Sequence, residues 1–280
     1  MKIIKILSII FALTFVVESC DIVEPPYQTG FDCESGNQNV LIEDYTGHTC
    51  VNCPGAAVTA HDIKQNCEDR VIIIAVHAGY FAEPKASGDY TYDFRTEAGN
   101  EWNNFFGIVS NPNGMVNRIN EEGNYVLGPG LWAEESFKLL GQNSPVNIEI
   151  HNHFELEDPD MLVTEITADF IEDVEGDYKL IVCITEDHII KAQKNNDLGL
   201  GTTPNILDYE HMHVLRTSVN GNWGQDFTSG FLTAGQSITK TYEQSFVGTD
   251  WVPDNCNVVA FIYNVEDKSV LQVQEEKVVE

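Results

Sequence analysis

Cys50 and Cys53 stand two residues apart, between the apolar run Val40-Leu41-Ile42-Glu43-Asp44-Tyr45 and the segment Pro54-Gly55-Ala56-Ala57-Val58. A strand that turns tightly through two cysteines into a helix start is the layout of a dithiol redox site. The helix N-terminus lends partial positive charge to the first sulfur and so favours the reactive thiolate. The same spacing also suits a structural disulfide or a metal knuckle. No second ligand pair lies nearby at suitable spacing, so zinc at Cys50 and Cys53 is not expected.

A chain of 280 residues has the length of about two domains, and 42% hydrophobic residues suffice for ordinary cores. The formal charge of -29 excludes nucleic acid as a partner and excludes electrostatic adhesion to anionic lipid.

The first nineteen residues read as a targeting segment. Lys2 and Lys5 give a positive start, Ile6 to Val17 are apolar but short for a membrane span, and Ser19 precedes Cys20. A small residue before a cysteine after such a stretch is the pattern of a bacterial lipoprotein signal. Cys20 is then the lipidated first residue, and the protein is anchored to a membrane without crossing it. Residues 20–36, with Pro25-Pro26 and a Gly, Asn and Ser content, read as a tether.

Six cysteines follow Cys20, an even number in an exported chain, and they allow fifteen pairings. Cys33 and Cys67 flank the central pair, while Cys183 and Cys256 lie in two separate apolar runs. The expected bonds are Cys33–Cys67, Cys50–Cys53 and Cys183–Cys256.

Along residues 37–143 the expected order is strand 40–45, helix 54–66, strand 71–76, helix 96–106, strand 115–119 and helix 131–140. Residues 79–95 form a polar insertion without a period. This order predicts an α/β domain with helices on both sides of a sheet. From Val146 onward the helical period disappears. Seven alternating or apolar runs, 146–153, 163–171, 178–186, 213–219, 237–246, 257–264 and 270–278, predict an all-β sandwich over 144–280.

Two segments carry a resemblance. Glu43-Asp44-Tyr45-Thr46-Gly47-His48-Thr49-Cys50-Val51-Asn52-Cys53-Pro54-Gly55-Ala56-Ala57 and Asn111-Pro112-Asn113-Gly114-Met115-Val116-Asn117-Arg118 look like the thioredoxin fold. The whole chain resembles the twenty-eight-kilodalton outer-membrane lipoprotein family of Gram-negative anaerobes. That resemblance implies a thioredoxin-like domain followed by an immunoglobulin-like β-sandwich, in the cell envelope. It makes Cys50 the exposed nucleophile and Cys53 the resolving thiol, exchanging disulfides with a protein or small-thiol partner. Asp44 becomes the buried acid that assists Cys53, Pro112 the cis-proline facing the dithiol, and Asn111 a backbone contact for bound peptide. Thr49 stands where thioredoxins carry tryptophan, and Pro54 follows the cysteine pair instead of lying within it.

His48 has two readings, a cationic neighbour that lowers the Cys50 pKa or an exposed loop histidine. The pairs His151/His153 and His211/His213 each point to one face of a strand, and they meet at a metal only if their strands are neighbours. Solvated strand residues are the simpler reading, and no metal or other cofactor is expected. No phosphate loop, nucleophile elbow or Ser/His/Asp order is present. Two functions remain: disulfide exchange at an anchored envelope protein, or a surface binding lipoprotein whose Cys50–Cys53 bond is structural.

Overall fold

The computed structural model describes residues 33, 35–67, 70–120 and 123–279. The expected signal segment and Cys20 lie outside the described residues.

The first half contains β1 (Val40–Thr46), α1 (Cys53–Cys67), β2 (Val71–His77), α2 (Glu97–Phe105), β3 (Asn113–Val116) and α3 (Pro129–Leu140). Local chemistry sets these bounds. Thr96 caps α2 by accepting a hydrogen bond from the Gly99 N–H at 2.9 Å, and Pro129 opens α3 where no intrahelical donor is needed. All seven strands expected in the second half form, as β4 (Val146–Phe154), β5 (Met161–Phe170), β7 (Tyr178–Glu186), β10 (Val214–Ser218), β13 (Ser237–Ser245), β14 (Cys256–Asn264) and β15 (Val270–Lys277). Five further strands have no counterpart among the expected runs: β6 (Val174–Glu175), β8 (Ile189–Lys194), β9 (Asn205–His211), β11 (Gln225–Thr228) and β12 (Phe231–Leu232).

The main sheet has the order β15-β14-β7-β10-β2-β1-β3, with β11 added on β7. β1 and β2 are parallel, as expected for strands joined by a helix, and β3 runs antiparallel to β1. β10 joins β2 through Val214 opposite Ala75. The sheet therefore draws strands from both sides of the Gly141–Pro145 segment.

Two layers cover one face of this sheet. At one end α1 and α3 pack over β1, β2 and β3, enclosing Val40, Ile42, Ala60, Ile63, Val71 and Trp132. At the other end a second sheet, β4-β5-β13, lies over β7 and β14 and buries Ile148, Ile166, Phe170, Val182 and Ala260. One sheet of this two-sheet packing, the one that holds β7 and β14, continues into β2, β1 and β3. The opposite face is covered by α2 and the segment after it, with Trp102, Phe106 and Met115 against Ile181, Leu215 and Phe261.

Alternation explains most of these positions, since odd and even residues of a strand face opposite layers. Phe105 and Leu131 are exposed, and Ala57 is half-buried at the edge of a cavity.

The Cys183–Cys256 bond does not form, and both thiols are free and buried. The two residues lie on neighbouring antiparallel strands, where Cys183 opposes Val259 and Cys256 opposes Glu186. An offset of three puts the sulfurs on opposite faces, Cys183 in the layer of α2 and Cys256 in the layer of β4 and β5.

Candidate functional site

β1 ends at Thr46, and the chain turns immediately, with the Cys50 N–H donating to the Gly47 carbonyl at 2.9 Å. Gly47 is required there because a Cβ would lie 2.4 Å from the Phe81 backbone. The same Phe81 carbonyl accepts hydrogen bonds from the Thr49 N–H at 3.1 Å and the Thr49 hydroxyl at 2.8 Å. The polar insertion is thereby fastened to the cysteine turn. α1 then begins at Cys53.

Cys50 and Cys53 are joined in a disulfide with their Cα atoms 5.5 Å apart, and Cys33–Cys67 is joined at 5.4 Å. The expectation of an exposed Cys50 nucleophile is overturned, for Cys50 and Cys53 are each only 2% exposed. The β8–β9 hairpin, which no sequence period announces, contributes to this burial. The Gln193 side-chain amide donates to the Cys50 carbonyl at 2.8 Å and to the Gly47 carbonyl at 3.3 Å. The Lys194 N–H donates to the His48 carbonyl at 2.9 Å, and the Asn196 amide donates to the Asn52 side chain at 2.7 Å. Val51 and Asn52, between the cysteines, stay exposed.

Asp44 faces α1 from the middle of β1, opposite Ala75 on one side and Gly114 on the other. It is buried, and its Oδ1 has no hydrogen-bond partner. Burial pushes its carboxyl up from 3.8 to about 7. A small cavity of about 30 Å³ brings Asp44 together with Cys53, Pro54, His77, Gln193 and His211.

The Asn111–Pro112 bond is cis, as the resemblance implies. Pro112 directly precedes β3, whose Asn113 lies opposite Tyr45 near the end of β1. Asn111 and Pro112 are half-buried.

His48 is neither a cationic neighbour nor an exposed loop residue. Its ring is buried and stacks on Tyr90 with centroids 5.6 Å apart. Burial, and then the charge of Lys85, lower its pKa, so the ring is neutral near pH 7 and offers Cys50 no positive charge. It also presents nothing to a substrate. His77 and His211 join it around Phe94, whose ring centroid lies 4.4 Å from that of His77 and 4.6 Å from that of His211. Burial holds His77 well below its ordinary value and lowers His211 to about 3. The three histidines form a neutral aromatic cluster behind the cysteine turn.

The two histidine pairs do not meet. His151 and His153 are exposed on β4, in a different sheet from β9. His211 ends β9, and His213 lies beyond it with its ring 3.2 Å from Asp187. Among the described residues no group of three or more His, Cys, Asp or Glu is placed to hold a metal.

The site residues that sequence pattern does not mark are His77, Gln193 and Tyr209, and His211 is marked only as half of a histidine pair. His77 closes the apolar run of β2, so the strand pattern reaches its neighbour without marking the imidazole itself.

Among solved structures the fold is similar to HBP35 of Porphyromonas gingivalis, with a TM-score of 0.63 at 17% identity, over 87% of this chain and 76% of that one. It is similar also to protein AGR_C_4864 of Agrobacterium tumefaciens, with a TM-score of 0.51 at 13% identity, over 88% of this chain and 97% of that one. A domain of the outer membrane lipoprotein Omp28 from Porphyromonas gingivalis aligns over 48% of this chain and 88% of its own length, at 21% identity and a TM-score of 0.33. No curated protein matches the chain in sequence. The profile of outer membrane protein Omp28 matches residues 99–280, from α2 through β15, and the chain therefore belongs to that outer-membrane protein family.

Proposed function

We propose that this chain is a lipid-anchored cell-envelope binding protein in which the Cys50–Cys53 bond is a structural staple at the start of α1. One observation carries the reading: both cysteines are 2% exposed beneath a hairpin fixed to their turn. Exchange requires a thiolate to reach a disulfide sulfur, and a closed cover denies that approach. The Lys2-to-Cys20 segment supports the anchor. The parallel β1–β2 pair bridged by α1, with β3 antiparallel beside it, supports a thioredoxin-like reading of residues 37–143. The apolar layer between β4-β5-β13 and β7-β14 supports an immunoglobulin-like reading of residues 144–280.

A second reading, disulfide exchange gated by the hairpin, draws support from Asp44. Its carboxyl, raised to about 7, shares a cavity with Cys53, where it could take the proton of the second thiol.

Native-state reduction followed by alkylation and mass spectrometry separates the two. With a staple, Cys50 and Cys53 stay oxidised at a dithiothreitol concentration that reduces them fully in urea. The C50S/C53S variant then loses roughly 2 kcal/mol of stability, the entropy of a very short closed loop. Ready reduction of the native protein, with insulin-reducing activity that C50S abolishes, would establish exchange and defeat the staple.

A further inference from the structure

A second cavity, of about 280 Å³, opens on the side of α1 that faces β2 and β9. Ala57, Ala60, Ile73 and Met212 give it apolar walls, and exposed Val58 and Glu210 stand at its mouth. Asp44 borders its interior. This carboxyl is 3% exposed, and its Oδ1 is buried without a hydrogen-bond partner. Among the described residues no lysine or arginine lines the cavity, although His61 and Tyr209 do, and the nearby Lys64 is held by Glu275 at 2.6 Å. His213, also on the wall, is kept neutral near pH 7 by burial.

An unsatisfied buried acceptor is a costly group, and a donor placed against it recovers a charge-assisted hydrogen bond. A mostly apolar chamber bordered by such a carboxylate, with His213 Nδ1 as a second unpartnered buried atom on its wall, selects a ligand with an apolar body and a donating head. The charge of the walls decides the sign of that head. Asp44 and Glu210 are its carboxylic acids, and the whole chain, at -29, concentrates cations around itself. The volume lies just under the range of about 300–1,000 Å³ of drug-sized sites, which limits the ligand to a small molecule.

We propose that this cavity is a binding site for a small apolar primary amine, held by its ammonium on Asp44 with its hydrocarbon part between α1 and β9.

Isothermal titration of the full chain at pH 7.5 with 2-phenylethylamine, 2-phenylethanol and 3-phenylpropionate tests this. The amine binds at least tenfold more tightly than the alcohol, and the carboxylate gives no heat. D44N, which keeps the side-chain volume, loses at least tenfold in amine affinity while its affinity for the alcohol is unchanged. V58K places a cation at the exposed mouth without touching the core, and it weakens the amine alone. Absence of heat with the amine up to 10 mM, or equal affinity for amine and alcohol, overturns the proposal. So does an amine affinity that neither variant alters.

Discussion

The Arg118 guanidinium grips the Glu43 carboxylate with two parallel hydrogen bonds, of 2.7 Å from Nε and 2.8 Å from Nη2, in a site that excludes water from both side chains. Glu43 is the β1 neighbour of Asp44 and points to the other face of the sheet, so one strand carries two buried acids with opposite fates. Glu43 is paired, and Arg118 is further wrapped by Trp102, Phe106, Phe261 and Tyr263, each ring within 5.6 Å. Burial works against the Arg118 charge, but the Glu43 carboxylate outweighs it and raises the Arg118 pKa.

Breaking this pair from one side strands a charge in the core. R118M is expected to lose about 3–5 kcal/mol in urea denaturation, because Glu43 is left without its partner. The double variant E43M/R118M recovers much of that loss, since two apolar side chains need no mutual neutralisation. A double variant as unstable as R118M alone would contradict this account.

Asp44 should make stability depend on pH. Its pKa rises from 3.8 to about 7 on folding, so the folded state holds the proton more tightly. Its stabilising contribution is complete below pH 3.8 and is lost as pH rises through 7. Relative to D44N, the native chain is expected to lose roughly 2–3 kcal/mol between pH 5 and pH 8. Parallel pH profiles for the two proteins would show that the carboxyl is not desolvated as described.

Gln193 latches the hairpin to the cysteine turn through the carbonyls of Gly47 and Cys50. Q193A removes both bonds and leaves the disulfide intact. Reduction of Cys50–Cys53 in the native protein should become several-fold faster, read by alkylation and mass spectrometry. An unchanged rate would mean that the hairpin does not limit access.

The glycine of Asn113-Gly114-Met115 is fixed by packing. A Cβ on Gly114 would lie 2.6 Å from the Glu43 carbonyl oxygen and 2.6 Å from the Trp132 ring. G114A should therefore cost roughly 1–3 kcal/mol through overpacking, seen as a lower melting temperature. Stability equal to the native chain would show that α3 can retreat from β3 freely.

Peptide mapping without reduction should find Cys33 linked to Cys67 and Cys50 linked to Cys53, with Cys183 and Cys256 as thiols. Both free thiols should react with a maleimide only after unfolding, since burial lifts each to about 12. A Cys183–Cys256 peptide would refute the strand register.

Strong periodicity makes most elements legible in the sequence alone. β2 is seven buried residues in a row, and β4 alternates buried and exposed positions over its first half. β8 has no such rhythm, because Gln193 is buried to bond backbone and not to fill an apolar layer. Its hairpin, and with it the burial of Cys50, is therefore invisible to pattern reading. Asp44 is marked by its place in β1. His77 is not marked, and His211 is marked only as half of a histidine pair, because their meeting depends on β9 folding over the end of β2. The pairing of Val214 with Ala75 joins residues far apart in the chain, and no local signal encodes it.

That distant pairing bears on how the protein comes off the ribosome. β2 emerges early, yet one of its two neighbours, β10, is synthesised only after β4 through β9. Until then a strand apolar in all but its last residue has an open hydrogen-bonding margin on one side, the kind of surface on which nascent chains stick to one another. Export in an unfolded state, with assembly only after β10 is complete, would spare the chain that exposure.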